Sequence, residues 1–308
     1  MKLKKPKFWD QKKPNLYAFL FYPLAIFIQL LNSLKNKVPK NNFKIKTICL
    51  GNIYIGGTGK TSLCITLKNI LDKKNIRSCF IKKFYKDHYD EQKLLKQNGK
   101  LFLEKKRVDA IQKAEEENYE IAILDDGLQD KSINSDINIV CFNNINWIGN
   151  GMTIPAGPLR ETINNLQKYD HIFLNGNLEN IDNIQKKILS INPRSNIYIG
   201  KYEVTNINEF NKQDNYFVFS GIGNHASFIL MLKNEGLKII NNLEFPDHYQ
   251  YTVSDINKIV KKAKNLNCKI ITTEKDYLRL ENLNISEIKV VKSSIKIINE
   301  ENFLKAIL

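Results

Sequence analysis

The sequence is poor in the residues that build several common kinds of site. Among 308 residues there are five cysteines, four histidines and two tryptophans. The cysteines are dispersed, form no C-x-x-C pair and share no metal-ligand spacing with histidine, which excludes a zinc finger and a disulfide framework. Buried thiols in a reducing compartment explain them best, so we expect a cytoplasmic protein.

The sequence also lacks an apolar run long enough to cross a membrane. The candidate at residues 16–31 is shorter than the about 20 residues that a spanning helix needs, and it contains Pro23 and Gln29. A secretory signal is not expected, because residues 32–35 (NSLK) offer no small-residue cleavage site. Two interpretations stay open: a helix in the membrane interface, or a helix packed on the core. Aromatic residues at both ends and flanking lysines favour the membrane surface.

Acidic residues are too few to balance the basic ones. The chain has 47 Lys and Arg against 32 Asp and Glu, a formal net charge of +15. Such an excess favours anionic partners, whether nucleic acid, acidic lipid head groups or phosphorylated substrates. Because lysine, asparagine and isoleucine are abundant throughout, the charge also fits a general composition bias and does not choose among these partners.

The informative stretch is residues 48–67, where an apolar strand pattern reaches a glycine-rich turn and a helical pattern follows. Such a loop lets backbone N–H groups converge on phosphate oxygens at the start of a helix. Tyr54 stands where the usual P-loop spacing has its first glycine. We predict that the nucleotide phosphates are bound by Gly56, Gly57, Thr58, Gly59, Lys60 and Thr61.

Two further segments supply candidates for the same site. Residues 119–130 read as a buried strand that ends at Asp125 and Asp126, which predicts that Mg²⁺ is held by these aspartates with the Thr61 hydroxyl. The Gly- and Pro-rich residues 147–161 end in Arg160 and Glu161. Arg160 could contact phosphate and Glu161 could support the metal, although an ion pair at a helix start fits the pattern equally well.

Apolar strand patterns alternate with helical ones through most of the chain. This alternation predicts an α/β fold of P-loop NTPase type, a mostly parallel sheet with helices on both faces. A change to Lys- and Asn-rich sequence places a boundary near residue 206. We expect an amino-terminal helical segment (1–40), a P-loop domain (41–205) and a smaller carboxyl-terminal α/β domain (206–308).

Two polar loops contain groups that can exchange protons. Residues 82–91 include His88, Asp90 and Glu91, and a second loop contains Asp247 and His248. A solvated loop and a hydrogen-bonded loop histidine are the simpler interpretations, because nothing in the local pattern requires a site there.

Taken together, the motifs resemble those of the tetraacyldisaccharide 4′-kinases of lipid A biosynthesis. The resembling stretches follow one another over nearly the whole chain: GNIYIGGTGKT (51–61), DDGLQD (125–130), IPAGPLRE (154–161), SGIGN (220–224), FPDHYQYT (245–252) and TTEKD (272–276). Two departures stand out. Residues 82–86 (KKFYK) replace a Ser-Arg-Gly-Tyr-Gly motif, and Leu128 and Asp130 replace Phe and His.

The resemblance implies transfer of the γ-phosphoryl group of ATP, with Mg²⁺, to the 4′-hydroxyl of a tetraacyl glucosamine disaccharide 1-phosphate. It implies that Asp90 is the catalytic base, paired with His248. Lys60, Arg160 and Glu161, which we selected from their own motifs, complete the candidate catalytic residues. It further implies peripheral attachment through the amino-terminal helix to the cytoplasmic face of the bacterial inner membrane, with no nucleic acid and no obligate protein partner. Two alternatives stay open: a membrane-associated P-loop ATPase switch, and a nucleic-acid-binding ATPase.

Overall fold

The computed structural model describes residues 5–34, 41–176, 179–280 and 287–308. The chain forms two compact units. Unit 1 comprises residues up to Phe84, Lys100–Lys201 and Ile297–Leu308; unit 2 comprises Tyr85–Gly99 and Tyr202–Lys296. The predicted three-part division stays a prediction. Residues 85–99, which it places in the P-loop domain, belong to unit 2, and residues 297–308, which it places in the smaller domain, belong to unit 1.

The secondary structure alternates along the described chain. The strands are β1 Lys46–Gly51, β2 Ser78–Lys83, β3 Leu101–Glu104, β4 Ile121–Asp125, β5 Ile137–Asn143, β6 His171–Gly176, β7 Asn196–Val204, β8 Asn215–Ser220, β9 Lys238–Glu244, β10 Lys269–Thr273, β11 Ile288–Val291 and β12 Ser293–Ile298. The helices are α1 Leu16–Leu34, α2 Lys60–Lys73, α3 Tyr89–Gln97, α4 Arg107–Glu116, α5 Ile181–Ile191, α6 His225–Asn234, α7 Val253–Asn265, α8 Glu274–Leu278 and α9 Glu300–Ile307. Short 3₁₀ helices lie at Lys7–Asp10, Ile163–Lys168 and Ile207–Glu209.

An eight-stranded sheet has the strand order β12-β7-β6-β5-β1-β4-β2-β3, and its strands β1 to β6 lie wholly in unit 1. Strand β1 runs parallel to both of its neighbours, with Leu50 opposite Asp125 and Gly51 opposite Val140. Strands β2, β3 and β4 lie on one side of β1, and the later strands of this sheet, from β5 onward, lie on the other side. Such a reversal leaves a crevice at the carboxyl ends of the strands, where α/β proteins bind their ligands.

Helices cover both faces of this sheet. On one face, Ala110, Ile111 and Ala114 of α4 pack against buried residues of β1, β2 and β4. On the other, α5 packs through Ile184 and Ile188 against β5 and β6. The strands are therefore buried on both sides, which explains why they read as continuous apolar runs rather than as alternating ones.

Unit 2 contains a four-stranded parallel sheet with the order β11-β10-β8-β9. Phe228 and Leu232 of α6 pack in one apolar cluster and Ile256 and Ile259 of α7 in another. Helix α7 begins with a capping box, in which the Thr252 hydroxyl accepts from the Asp255 backbone and the Asp255 carboxylate accepts in return.

Helix α1 carries apolar side chains that the protein does not cover. Leu16 is 82% exposed and Leu20 is 72% exposed, whereas Ala18 and Ala25 are fully buried. Small residues on one face let the helix approach the protein closely, and the larger apolar residues face outward. Within the described ranges, no helix combines the length and the apolar character needed to cross a bilayer.

Candidate functional site

The loop between β1 and α2 has the backbone geometry of a phosphate-binding turn. Gly56 and Gly59 have φ values of 145° and 80°, which residues with a Cβ rarely adopt. Gly59 is the residue immediately before α2, so the loop ends at the positive end of that helix. Lys60 and Thr61 therefore lie in the first turn, where they belong in a nucleotide site.

Two asparagines hold this loop in place. The Asn52 side chain donates to the Tyr54 carbonyl at 2.6 Å and to the Thr58 hydroxyl at 3.0 Å. The Asn175 side chain, at the end of β6, donates to the Thr58 carbonyl at 2.5 Å. Thr58 is thus bound by Asn52, directly after β1, and by Asn175 of β6. The middle of the loop is therefore held in place as well as its ends.

Tyr54 occupies its position without any need for glycine. It forms an antiparallel bridge with Leu159, so its backbone is extended, and its buried hydroxyl donates to Asp10 at 2.6 Å. On either side of it, the amide of Ile55 donates to Pro158 at 2.8 Å and the amide of Arg160 donates to Ile53 at 2.7 Å. This pairing brings Arg160 beside the phosphate loop although it lies about 100 residues further along the chain.

The acidic pair at the end of β4 faces the same loop. Thr61 donates its hydroxyl to Asp125 at 3.2 Å, and Lys82 forms a buried ion pair with the same oxygen. Asp126, at φ 58°, contacts Lys60 at 3.5 Å and Arg160 at 3.0 Å. The structure therefore assembles the predicted residues of the loop, the acidic pair and Arg160 into one cluster within unit 1.

The charges around Asp126 keep it ionised. Burial raises its pKa, but the Lys60 and Arg160 charges outweigh this and lower the pKa to about 2. Asp126 is therefore a carboxylate at neutral pH, and it holds two cations that a nucleotide phosphate would also attract.

The residues near Thr61 fit a hard divalent cation. Asp125 is 1% exposed, and its Oδ1 atom has no hydrogen-bond partner among the described residues. A buried carboxylate oxygen without a partner is costly unless a cation satisfies it. Thr61, Asp125 and Asp126 together offer the oxygen ligands that Mg²⁺ takes.

Glu161 lies at the edge of this cluster and has partners of its own. It accepts from Asn165 at 2.8 Å and from Tyr169 at 3.2 Å. Gln129 donates to Glu161 at 3.3 Å and accepts from Arg160 at 3.0 Å, which links the two predicted residues indirectly. The Arg160 guanidinium donates to Asp126 and to Gln129, both at 3.0 Å.

A second polar cluster is built wholly within unit 2. Asp90, in the first turn of α3, lies 3.0 Å and 3.2 Å from Nδ1 of His248 through its two oxygens. Arg279 donates to Asp90 from Nε at 3.1 Å and from Nη2. The side chains of Asp90 and Arg279 are each 2% exposed, so the ion pair is buried.

The sheet of unit 2 explains why distant motifs meet here. SGIGN follows β8, FPDHY follows β9 and TTEKD runs into α8 after β10, and the carboxyl ends of parallel strands share one edge. The Gly221 carbonyl accepts from the His248 amide at 3.1 Å and from Arg279 at 2.8 Å. Buried Asp276 accepts from the Gly221 amide at 2.8 Å and from Tyr251 at 2.6 Å. Hydrogen bonds among the three motifs therefore hold these loops in position.

The surroundings of Asp90 favour its charged form. Burial raises its pKa, but the hydrogen bond from His248 and the charges of Arg279 and Lys275 outweigh that effect and hold the pKa well below its usual range. Asp90 is consequently a fixed carboxylate at neutral pH.

Comparisons with known proteins identify the family. A family model described as tetraacyldisaccharide-1-P 4′-kinase matches residues 17–308. The chain belongs to the tetraacyldisaccharide 4′-kinase family. The tetraacyldisaccharide 4′-kinase of Pelagibacter ubique is 60% identical over 302 residues, which are 98% of this chain and 96% of that protein. The protein of the same name from Rickettsia canadensis is 33% identical over 330 residues, covering 99% and 98% of the two chains.

A solved structure agrees with the fold. The crystal structure of LpxK from Aquifex aeolicus in complex with ATP superimposes with a TM-score of 0.64 at 22% identity, over 94% of this chain and 96% of that one. The predicted family, the α/β fold class and the predicted kinase activity are therefore confirmed. The roles of individual residues stay predictions.

Sequence reasoning missed several residues that the site uses. Arg279 lies three residues after Asp276, directly after the end of α8, and an i, i+3 charge pair at the end of a motif is a signal that could have drawn attention to it. Lys82 is a buried residue of β2, yet we read it as part of a polar loop. Nothing in the sequence singled out Asn52 or Asn175 as a residue of the site, because single asparagines at strand ends are common.

Proposed function

We propose that this chain transfers the γ-phosphoryl group of ATP to the 4′-hydroxyl of a tetraacyl glucosamine disaccharide 1-phosphate, a step of lipid A biosynthesis. The observation that supports this most directly is the family match over residues 17–308, which spans both polar clusters. The ATP complex of the Aquifex aeolicus protein supports ATP as the phosphoryl donor.

On this proposal, unit 1 binds the donor. The backbone N–H groups of Gly56, Gly57, Thr58 and Gly59 and the Lys60 ammonium hold the phosphates, and Arg160 stabilises the charge on the transferred group. Thr61, Asp125 and Asp126 hold Mg²⁺, with Glu161 in support. The ion supplies charge neutralisation on the phosphate oxygens. Lys60 and Arg160 exchange their contacts with Asp126 for contacts with phosphate.

Unit 2 supplies the proton acceptor. Asp90, hydrogen-bonded to His248, accepts the proton of the sugar hydroxyl, and Arg279 is a positioning residue that fixes the Asp90 carboxylate. A low pKa does not argue against this role, because phosphoryl transfer passes through a loose transition state and the proton moves late. Accurate placement of the carboxylate then contributes more than its basicity.

The amino-terminal helix brings the protein to its lipid substrate. Among the α1 side chains that the structure describes, eleven large apolar ones are exposed, from Leu16 at 82% to Phe21 at 40%. A helix of this kind lies in the membrane interface, and lysines nearby attract acidic head groups. We propose peripheral attachment to the cytoplasmic face of the inner membrane, with residues 1–40 as the membrane-associated segment, 41–205 as the kinase domain and 206–308 as the smaller domain.

The test is to incubate purified protein with Mg-ATP and the monophosphorylated disaccharide lipid in detergent and to look for a doubly phosphorylated lipid by mass. We expect the product from the wild type and a loss of turnover of at least about 100-fold in Asp90→Asn, the scale of general-base catalysis. Asp182→Asn, at an exposed site on α5, is the matched control and keeps full activity. ATP hydrolysis without a phosphorylated lipid would favour the ATPase switch instead.

A further inference from the structure

Three side chains of unit 2 form a group of metal-ligand type next to Asp90. His88 lies immediately before α3, Glu91 lies in its first turn and His248 lies in the loop after β9. One ligand atom from each is within 4.8 Å of the others. Nδ1 of His88 is 3.6 Å from a Glu91 oxygen, and Nε2 of His248 is 3.9 Å from the other. All three side chains are partly exposed, so an ion can reach them from solvent.

The two separations that involve Glu91 are close to those around a tetrahedral ion. Two ligands bound at about 2.0–2.2 Å and at a tetrahedral angle are about 3.3–3.6 Å apart. The separations of 3.6 Å and 3.9 Å to the two Glu91 oxygens need shifts of a few tenths of an ångström. The three ligand atoms together lie within 4.8 Å, so the farthest pair must approach by about 1 Å when an ion binds. The His88 and His248 rings are stacked, with centroids 4.7 Å apart and planes 7° from parallel. One ring must turn out of the stack when an ion binds, because the lone pair of each nitrogen lies in its ring plane.

An independent feature orients one of the ligands. His248 directs Nδ1 to the Asp90 carboxylate, and Arg279 fixes that carboxylate in turn. A histidine ligand usually donates its other ring N–H to a carboxylate, which leaves the remaining nitrogen as the electron-pair donor. Here the remaining nitrogen is Nε2, the one nearer to Glu91 and also 3.8 Å from Asp247.

One neighbour competes with a bound ion. Lys275 donates to Glu91 at 2.8 Å, so a cation must displace its ammonium group from that oxygen. Lysine sits on a flexible stem and can turn away. The carboxylate of Glu91 belongs to the group, and those of Asp90 and Asp247 lie beside His248. These three negative charges balance the positive charge of a bound ion. Two imidazoles and one carboxylate select ions such as Zn²⁺ over Mg²⁺.

We propose that His88, Glu91 and His248 bind a divalent ion of the Zn²⁺ class and that its binding inhibits phosphoryl transfer. Binding follows from the geometry alone. Inhibition rests on the proposed function, because an ion on Nε2 of His248 fixes the partner of Asp90 and places a second positive charge beside that carboxylate. The free chain is the active state and the ion-bound chain is the inhibited one.

Binding is tested with Co²⁺, whose visible absorption reports a tetrahedral nitrogen and oxygen site, added to chelator-treated full-length protein without nucleotide. We expect one Co²⁺ per chain, displaced by Zn²⁺. His88→Gln should weaken Co²⁺ binding at least tenfold, because it removes one of three ligands. His171→Gln, in unit 1, is the matched control and should bind normally. An absence of the band, or a band unchanged in His88→Gln, would overturn the proposed site.

Inhibition is tested by adding Zn²⁺ to the lipid kinase assay with excess Mg-ATP. We expect at least tenfold inhibition of the wild type, reversed by chelator, and unchanged basal turnover with at least tenfold weaker inhibition in His88→Gln. Any effect of Zn²⁺ on ATP is the same for both proteins. Co²⁺ binding without inhibition would refute the regulatory role alone. A chelator-treated protein with no kinase activity would instead contradict the proposed function.

Discussion

At the scale of single residues, the least replaceable contacts of the donor site are buried ion pairs. The pair formed by Lys82 and Asp125 is 3% and 1% exposed, so both charges have left water. The value of such a pair lies less in its attraction than in the cost of leaving one charge alone.

Lys82→Met is therefore expected to destabilise the protein, since it leaves Asp125 buried without its cation. Removing one partner of a buried pair costs about 3–5 kcal/mol in free energy of unfolding, which urea denaturation measures. Lys100→Met is the matched control, because Lys100 pairs with Glu117 at the surface. We expect little change there. Equal losses in the two variants would mean that burial of the Lys82 pair has no special consequence.

Asp130 allows a prediction about pH. Burial raises its pKa, but hydrogen bonds from Ser132 and the charge of Arg107 outweigh this and lower the pKa below the ordinary value of an aspartate. The folded state thus favours the carboxylate, and this stabilisation is present above the unfolded pKa and disappears as the pH falls through the folded pKa. We expect Asp130→Asn to be less stable than the wild type at pH 7, and the difference to shrink below about pH 4.

Urea midpoints of the two proteins measured between pH 7 and pH 3 check this. A stability difference that stays constant over the whole range would show that ionisation of Asp130 makes no contribution.

At the scale of elements, the sequence was informative wherever a strand is buried on both faces. β1, β4, β5 and β6 are apolar runs, and their ends identify Gly56, Asp125 and Asp126 as neighbours because parallel strands align their carboxyl ends. β9 was not predicted, since KIINNLE is mostly exposed and shows neither an apolar run nor alternation. The buried hydrogen bonds of Arg279 could not be predicted either, because they depend on how loops that are distant in the sequence meet in the fold.

The turn before α2 gives a prediction for one element. Gly59→Ala places a Cβ at φ 80°, which costs about 1–2 kcal/mol and shifts the N–H groups that would bind phosphate. We expect at least tenfold weaker Mg-ATP binding by calorimetry. Gly236→Ala is the matched control: its φ is 83°, and it follows α6 in unit 2. It should lose similar stability and bind Mg-ATP normally. Weaker nucleotide binding in both variants would point to general destabilisation.

At the scale of the whole molecule, sequence order and spatial grouping disagree in one place. Residues 85–99 lie between two strands of the unit 1 sheet in sequence but belong to unit 2, and α3 with Asp90 is part of this excursion. The local sequence pattern predicts a helix but does not show which unit the helix belongs to. A domain boundary placed by composition therefore could not assign residues 85–99 to unit 2. Asp90 and His248 are 158 positions apart, and only the fold makes them neighbours.

If the protein attaches to the membrane as proposed, we expect the exposed face of α1 and the net charge of +15 to act together. Leu16→Glu/Leu20→Glu replaces two leucines of α1 that are 82% and 72% exposed. Burying a leucine contributes about 1.5 kcal/mol or more, so we expect the double variant to bind anionic vesicles at least tenfold more weakly in co-sedimentation. Turnover of detergent-dispersed lipid should persist, because α1 carries none of the proposed catalytic groups.

The matched control is Leu189→Glu, an exposed leucine of α5, which should bind vesicles like the wild type. Raising the salt concentration should weaken wild-type binding, since screening reduces the attraction between the basic protein and acidic head groups. The apolar part of the binding should survive the salt and disappear only in the α1 variant. Vesicle binding that salt abolishes in the wild type and that the α1 substitutions leave intact would mean that charge alone holds the protein at the membrane.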